Sequence, residues 1–436
     1  MGTLSRRRFL QISAATGVAL LAPVPARFLT SAGAQPLAGG SLDPRSIRKY
    51  VTPLVVPPQM PRTSGGQFDY YEIAVRQFVQ QILPEDMPPT TVWSYGSVNH
   101  PGTFNYPAFT IEARFRRPVH VKWINGLVDA GGGFLPHLLP VDPTLHWANP
   151  PGGPDGRDMR PTFGSTPAAY DGPVPLVTHV HGNHTFDYSD GFAEAWYLPD
   201  ADNIPPGFAT EGTFYDFFRQ KSPQGDLWGT GNAVFQYLND QRASTLWYHD
   251  HTLGMTRLNV YAGPAGFYLL RHGPGDLPTA VLPGPAPMVG DPEGTRYYEI
   301  PLAIQDRSFN SDGSLFYPDT RAFFDEFSGP YIPGSDVPPI WNPEFFANTV
   351  VVNGNTWPRL EVEPRRYRFR LLNGCNARFL ILKLAPDPTT RPAQTALPFW
   401  MIGSEGGFLP APVRLEQLLM APAERADVIV DFTGLT

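Results

Sequence analysis

Short apolar segments rich in Val, Ile, Tyr, Phe and Trp recur along this 436-residue chain, and each is bounded by Gly, Pro, Asn or Asp. Such segments are typical of β-strands that end in turns. Examples are residues 70–78, 110–116, 120–124, 176–181, 245–249, 260–270, 297–303, 349–353, 367–372, 379–384, 399–402 and 427–432. Helical periodicity is scarce, and only residues 212–220 are expected to form a turn or two of helix. This rhythm predicts an all-β chain of sandwich or barrel domains.

A Pro- and Gly-rich stretch, residues 274–294, divides the strand-like segments into two sets. It has little to bury, so it predicts a boundary between a first domain, residues 35–275, and a second domain, residues 292–436. Residues 129–173 are also rich in Gly and Pro and are expected to form an inserted loop. The chain stops just after a strand and one turn, DFTGLT, so the second domain is expected to be incomplete and the sequence truncated or partial.

The composition is that of a folded, slightly acidic protein. Hydrophobic residues make up 42% and charged residues 17%, with a net charge of −7, which excludes a disordered chain and the basic surface of a nucleic-acid-binding protein. Gly and Pro contribute 42 and 51 residues, in keeping with many turns between short strands. The single cysteine, Cys375, cannot form an internal disulfide, so stability must come from hydrophobic cores and any bound metal.

The N-terminus reads as a targeting segment. SRRRFLQ at residues 5–11 fits the twin-arginine export pattern, an apolar stretch follows at residues 12–22, and Ala-Gly-Ala at 32–34 suits a signal peptidase. The apolar stretch is far shorter than the ~20 residues needed to span a bilayer. Residues 1–34 are therefore predicted to be a signal peptide that engages the twin-arginine translocase. No stable membrane insertion is expected, and the mature protein should be periplasmic, at the cell surface or extracellular.

Four of the ten histidines form two pairs, His179-Val180-His181 and His249-Asp250-His251, and each pair ends a strand-like segment. Side chains at i and i+2 of a strand point to the same side, so each pair offers two imidazoles together. Copper favours imidazole nitrogen, and neutral histidine is a common metal ligand. A lone His-x-His in a loop usually has no function, but two such strands side by side could hold a metal cluster.

The segments around these pairs resemble the multicopper oxidase family. HVHG and WYHDH look like the first two of its four copper motifs, and LWYHDHTLGMTRLNVYAGPAGFYLLR, SDGFAEAW, DGSLFYP, VVNGNTWPRLEVEPRRYRFRLLNG, IGSEGGFLP and APAERADVIVDF resemble the spore-coat laccase and bilirubin oxidase branch. The resemblance extends from about residue 70 to residue 432. It implies an all-β fold of tandem cupredoxin-like Greek-key β-sandwich domains, with the family's third domain absent.

The resemblance also implies roles for particular residues. His179 matches a ligand of the type 2 copper, His181 and His249 match ligands of one type 3 copper, and His251 matches a ligand of the other. Asp190 matches an acidic residue that helps to supply protons, although it could instead be only a turn residue beside a glycine. His184 should face away from the site because it lies three residues after His181. The other histidines are expected to be structural or at the surface: His100, His120, His137, His146 and His272.

Half of the family's metal ligands are not found in this sequence. The complete trinuclear site uses eight histidines, and the remaining four belong to a third cupredoxin domain together with the type 1 copper site. That site needs a cysteine flanked by histidines. Cys375 lies in NGCNARF, and no histidine occurs after His272. Cys375 is therefore expected to be a small buried residue at the end of a strand.

The resemblance implies an oxidase that couples one-electron oxidation of phenols, bilirubin-like pigments or metal ions to the reduction of O2 to water, with copper as cofactor. O2 and a small reducing substrate would be its partners, and this chain alone should be inactive. One alternative is a non-enzymatic exported binding protein that has lost its coppers, which the retention of four histidines argues against. Another is a two-domain laccase acting as an oligomer, but each chain of such a protein carries all four motifs.

Overall fold

β-Strands account for most of the regular structure in this computed structural model, which describes residues 41–278, 280–327, 329–335 and 337–435. The strands are β1 Ser64–Gly65, β2 Asp69–Gln80, β3 Thr90–Ser97, β4 Ala108–Arg114, β5 Val119–Asn125, β6 Thr178–His181, β7 Asn232–Tyr237, β8 Ser244–Asp250, β9 Ala265–Arg271, β10 Glu299–Phe309, β11 Leu315–Phe316, β12 Thr349–Val352, β13 Asn355–Thr356, β14 Arg366–Asn373, β15 Leu380–Leu382, β16 Phe399–Ser404, β17 Gly407–Leu415, β18 Leu418–Met420 and β19 Arg425–Asp431. The predicted signal peptide, residues 1–34, lies outside the described residues.

Helices in the described part of the chain are short. They are α1 Gly153–Gly156, α2 Tyr215–Lys221, α3 Thr256–Ala262 and α4 Ala322–Asp325, with 3-10 turns at Pro101–Thr103, Pro150–Gly152, Asp187–Ser189 and Gly225–Leu227. None exceeds seven residues, and none is long and apolar enough to cross a membrane. The prediction of an all-β fold is confirmed, and α2 agrees with the helix predicted over residues 212–220.

The strand predicted over residues 260–270 is wrong in its first part. Helix α3 occupies Thr256–Ala262, and β9 begins only at Ala265. Val260 and Tyr261 favour strands by local propensity, but Leu258 and Tyr261, three residues apart, are buried on the inner face of the helix. Tertiary packing therefore overrides the local preference. The segments given as examples in the sequence analysis do not include β3, β7, β17 and β18, or the two-residue strands β1, β11 and β13.

The strands before residue 272 form two sheets that share a hydrophobic core. One sheet has the order β1-β2-β5-β7, with β3 paired to β2, and the other has the order β4-β9-β8-β6. The β2–β5 and β4–β9 pairs are parallel, and the other neighbours are antiparallel. Tyr95 and Trp123 of the first sheet contact Tyr248 of the second, with ring centroids 5.0 and 5.4 Å apart. These contacts join the sheets face to face as a β-sandwich.

The strands after residue 298 form a second group. Eight strands make one sheet with the order β13-β12-β10-β14-β19-β16-β17, in which β11 also pairs with β10, and β15 and β18 pair separately. Leu380 on β15 and Met420 on β18 are buried in the same core as Phe369 on β14 and Val428 on β19. The small β15–β18 ladder therefore packs on one face of the large sheet.

Buried and partly buried charged side chains join the two groups of strands. Glu299 on β10 lies 2.9 Å from Arg271 on β9 and 2.6 Å from Arg370 on β14. Arg271 also pairs with Glu112 on β4 at 2.5 Å, and Nη1 of Arg370 donates to the hydroxyl of Thr245 on β8 at 2.9 Å. Because buried charges are costly unless they are paired, this network ties the start of the second group to the end of the first.

The ionisation of Glu299 follows from its neighbours. Burial alone would favour the neutral carboxyl group, but the positive charges of Arg370, Arg271 and Arg368 outweigh it and hold the pKa of Glu299 well below its usual value. The carboxylate is therefore charged wherever the protein is folded near neutral pH.

No strand of the described residues lies between Arg271, the end of β9, and Glu299, the start of β10. This gap contains the boundary predicted from residues 274–294. The domain limits themselves, residues 35–275 and 292–436, stay a prediction. The proposed loop over residues 129–173 contains α1 and none of the named strands.

Candidate metal centre

Two neighbouring strands carry the histidine pairs. β6 and β8 run antiparallel, with His179 opposite His249 and Val180 opposite Tyr248. Side chains alternate between the two faces of a strand, and Val180 and Tyr248 are buried in the core of the sandwich. His179, His181 and His249 therefore project together from the opposite face of the sheet.

The imidazole nitrogens approach one another closely enough to share a metal ion. Nδ1 of His181 lies 3.3 Å from Nε2 of His249. Each of His179, His181 and His249 offers a nitrogen within 4.8 Å of the others, and within the described ranges no other group of three or more His, Cys, Asp or Glu side chains is so arranged. Imidazole nitrogens bind transition metals at about 2.0–2.1 Å, so two on one ion at a near-tetrahedral angle are about 3.3 Å apart. The donor set fits a metal ion.

His251 lies beside the other three. It directly follows β8, and its backbone N–H donates to the carbonyl of Val177, just before β6, at 2.8 Å. Its ring centroid lies 4.9 Å from that of His179 and 6.0 Å from that of His249. The structure thus brings together all four predicted ligands, His179, His181, His249 and His251, which we call the histidine cluster. Their assignment to particular metal ions stays a prediction.

In two of these rings, a backbone carbonyl determines which nitrogen is free to bind a metal. Nδ1 of His179 donates to the carbonyl of Asp190 at 2.5 Å, and Nδ1 of His249 donates to the carbonyl of Asp250 at 2.7 Å. In a neutral ring the other nitrogen, Nε2, then carries the lone pair. In His249 this is the nitrogen that faces His181, so the ring is oriented to act as a ligand.

The buried rings are neutral near pH 7. Burial lowers the pKa of His181 to about 4, and the positive charge of Arg425 adds to this effect. The pKa of His249 lies well below its ordinary value because the ring is buried, and burial also lowers the pKa of His251. Since metal ions bind the deprotonated imidazole, these rings need not lose a proton before they coordinate.

Asp190 lies beside the histidine cluster, just after a 3-10 turn. Its carboxylate oxygen Oδ1 is 3.4 Å from Nδ1 of His179, and its side chain is 48% exposed. The next residue, Gly191, has φ +76°, and a Cβ there would lie 2.2 Å from the carbonyl oxygen of Thr178. The turn that the sequence analysis weighed as the alternative is therefore present, and it holds Asp190 against β6. The proton-supplying role of Asp190 stays a prediction.

The sequence analysis did not single out Asp250, which separates the two histidines of the second pair. Its buried carboxylate accepts hydrogen bonds from the backbone and hydroxyl of Thr252, at 3.0 and 2.8 Å, and from Nδ2 of Asn259 at 2.9 Å. Val177 donates to it at 3.2 Å, and burial raises the pKa of Asp250 to about 6. These bonds fix the turn after β8. Strand alternation could have revealed this, because a residue between two outward histidines points inward.

A pocket of about 380 Å³ opens onto the histidine cluster. Its wall includes Trp247, whose ring centroid lies 4.0 Å from that of His249. Cys375, which follows β14, also lines this pocket. It is buried, as the sequence predicted, and burial raises the pKa of its thiol above the usual value. Cys375 is therefore protonated and does not offer a thiolate.

His184 and His137 lie outside the histidine cluster. His184 is exposed, and its Nδ1 lies 2.7 Å from a carboxylate oxygen of Asp240. His137 is bonded through Nε2 to Oδ1 of Asn259 at 3.0 Å, and burial lowers its pKa to about 3. Both positions agree with the non-ligand reading of these residues.

The strand architecture is that of a cupredoxin-like fold, and the histidine cluster offers the ligands of a metal site. The chain is similar to the laccase of Bacillus subtilis (strain 168), with 35% identity over 391 residues that cover 89% of this chain and 60% of the relative. It is also similar to the laccase of Bacillus stratosphericus, with 37% identity over 391 residues and the same two coverages. A crystal structure of a multi-copper oxidase from Pediococcus acidilactici superposes with a TM-score of 0.54 at 21% identity, over 89% of this chain and 57% of that one. No protein-family model matches the chain.

The chain belongs to the multicopper oxidase family. This confirms the family and the cupredoxin-like fold that the sequence analysis predicted. Members of the family are oxidoreductases that use copper, so copper is the metal implied for the histidine cluster. The chain spans about 60% of the length of the laccases it matches.

Proposed function

We propose that this chain contributes four copper ligands to the oxygen-reducing centre of a laccase-like oxidase. The observation that carries the proposal is the 3.3 Å approach of Nδ1 of His181 to Nε2 of His249 within a cluster of four imidazoles. Imidazole nitrogen is a favourable ligand for copper. The two Bacillus relatives, at 35% and 37% identity, are laccases.

In this proposal each histidine has its own role. His179 binds the type 2 copper, His181 and His249 bind one type 3 copper, and His251 binds the other. Bound copper supplies the redox chemistry by which phenols, bilirubin-like pigments or metal ions lose single electrons and O2 is reduced to water. The protein holds the rings of His181, His249 and His251 neutral by burial, and backbone carbonyls leave Nε2 of His179 and His249 free.

We further infer that Asp190 passes protons from solvent to the centre. A group in this role must reach both sides within hydrogen-bond distance or one water molecule. The half-exposed carboxylate of Asp190 reaches solvent, and its Oδ1 lies 3.4 Å from Nδ1 of His179.

The ligands of an electron-entry site are not among these 436 residues. A type 1 site uses a cysteine thiolate with two imidazoles, but Cys375 is the only cysteine, and no histidine follows His272. The type 1 site and the other four imidazoles would have to come from other residues, such as the third cupredoxin domain expected from the resemblance. By itself the chain is expected to bind copper weakly and not to oxidise laccase substrates.

We also propose export by the twin-arginine route, with a mature protein that is periplasmic, at the cell surface or extracellular. The support is the SRRRFLQ segment at residues 5–11 with the apolar stretch and small residues that follow. These residues lie outside the described part of the chain.

The proposed function is tested by loading the purified chain with Cu(II) and recording metal content, the visible spectrum and O2 uptake with a phenol. The expected result is bound copper without the intense blue band of a type 1 site and without sustained turnover. Turnover that survives dialysis would contradict the expectation that the chain lacks an electron-entry site. Absence of any copper binding would contradict the metal centre itself.

A further inference from the structure

Arg425 connects the second group of strands to the strand that carries His249. It is the first residue of β19, and its side chain is only 2% exposed. Nε donates to the carbonyl of Thr245 on β8 at 3.0 Å, and Nη1 donates to the carbonyl of Ala423 at 2.8 Å and pairs with Glu405 at 2.9 Å. Three separate acceptors thus fix the position of the guanidinium.

The remaining nitrogen of Arg425, Nη2, lies against the residue that follows His181. Gly182 has φ +85°, and a Cβ built there would be 2.8 Å from Nη2 and 3.2 Å from the side chain of Leu246. The carbonyl of Gly182 accepts a hydrogen bond from Nε2 of Gln241 at 2.8 Å. A glycine is needed at this position both for its backbone conformation and for the close approach of the guanidinium. Arg425 therefore packs directly on the backbone that carries His181.

The charge of Arg425 lies beside the histidine cluster, because its guanidinium packs against Gly182, the residue that follows His181. Arginine stays protonated under all ordinary conditions. The carboxylates that act on Arg425 are Glu405 and Glu424. Glu405 is 48% exposed, so solvent screens much of its charge.

We propose that Arg425 is a positioning residue that holds His181 in place and shifts copper bound there towards Cu(I). This proposal rests on the proposed function, because it requires copper at His181. Cu(II) carries one more positive charge than Cu(I), so a fixed cation nearby repels it more strongly. Copper bound there would be repelled less once it had gained one electron, which the reducing substrate would supply through the electron-entry site. The guanidinium thus favours reduction of the metal and, through Gly182, fixes the backbone of its ligand.

The test compares the affinities of the full chain for Cu(II), by competition with glycine, and for Cu(I), by competition with bicinchoninate, without oxygen. Arg425→Gln removes the charge, and Arg425→Lys keeps the charge but loses the guanidinium geometry. Arg366→Gln, on the exposed side of the neighbouring strand β14, is the matched control. Arg425→Gln should shift the ratio of the two affinities towards Cu(II) by about threefold or more. Arg425→Lys should weaken both affinities with little change in their ratio, and Arg366→Gln should change neither.

If Arg425 had only a structural role, replacing it would lower the affinities for Cu(I) and Cu(II) together. The ratio of the two affinities therefore separates a structural role from an electrostatic one. Glu405→Gln offers a second test that leaves the buried guanidinium in place. Removing this counter-charge should shift the ratio of the two copper affinities towards Cu(I), in the direction opposite to Arg425→Gln. If Arg425→Gln does not fold, this variant decides whether the charge of Arg425 affects the ratio. An unchanged ratio in both folded variants would overturn this proposal alone. If the wild-type chain binds no copper, or His181→Ala binds it equally well, the metal centre and this proposal both fail.

Discussion

His179 on β6 and His249 on β8 lie directly opposite each other in an antiparallel ladder, with ring centroids 5.5 Å apart. The register of this ladder, rather than either sequence motif alone, assembles the histidine cluster. A slip of one residue would turn one pair of histidines towards the core.

The first prediction concerns the shared metal ion. His181→Ala and His249→Ala should each remove whatever copper the wild-type chain retains after dialysis, because each removes one of two nitrogens that lie 3.3 Å apart. The measurement is copper per chain after dialysis. His184→Ala is the matched control, since this nearby histidine is exposed and bonded to Asp240 instead. Equal copper content in all three variants would show that the ligands are assigned incorrectly.

The second prediction concerns the glycine after Asp190. Gly191→Ala should destabilise the protein by at least about 3 kcal/mol, because the new Cβ would lie 2.2 Å from the carbonyl oxygen of Thr178 at a positive φ. Gly207 has a similar φ of +86° but open space around it, so Gly207→Ala should cost only about 1 kcal/mol. Urea unfolding followed by circular dichroism compares the two. Equal losses in the free energy of unfolding would show that the close approach at Gly191 does not affect stability.

The third prediction concerns the buried ion network. Glu299→Gln should destabilise the protein by about 3–5 kcal/mol, because it leaves the buried guanidinium of Arg370 and the partly buried guanidinium of Arg271 without their shared carboxylate. Glu416→Gln, which removes an exposed partner of Arg414, should change the free energy of unfolding by less than about 1 kcal/mol. Denaturant unfolding measures the loss of stability in both variants. Similar losses in Glu299→Gln and Glu416→Gln would refute the prediction.

A fourth prediction follows from the low pKa of Glu299. In the unfolded chain a glutamate titrates near pH 4.3, whereas its folded pKa lies well below that value. The unfolded state therefore binds more protons in acid, and the stabilisation is present above about pH 5 and decreases as the pH falls. The difference in stability between wild type and Glu299→Gln should shrink from pH 5 to pH 3. A constant difference would show that the pKa of Glu299 is not lowered.

The fifth prediction concerns export. Residues 1–35 fused to a reporter should direct it through the twin-arginine translocase, because they contain SRRRFLQ. Replacing Arg6 and Arg7 with Lys should block export, as judged by cell fractionation. Continued export of this variant through the general secretory pathway would contradict the assignment.

Local sequence patterns predicted the strands that carry ligands, because His-x-His at the end of an apolar segment already places two imidazoles on one face. They could not predict that His181 meets His249 at 3.3 Å, since that contact depends on the pairing of strands 68 residues apart. They misassigned Val260 and Tyr261, whose strand propensity is overridden by packing in α3. Arg425 carried no local signal, because its contact with Thr245 joins residues 180 positions apart.

The salt bridge between Arg271 and Glu299 affects how related oxidases can be recombined. The linker at residues 274–294 looks like a natural crossover point for chimaeras, since none of the named strands lies there. A crossover there would take Arg271 and Glu112 from one parent and Glu299 and Arg370 from the other. Unless both parents share this set of charges, a chimaera would bury unmatched ions. Whether two parents are compatible therefore depends on these paired charges, which lie on both sides of the linker in sequence, rather than on the sequence of the linker.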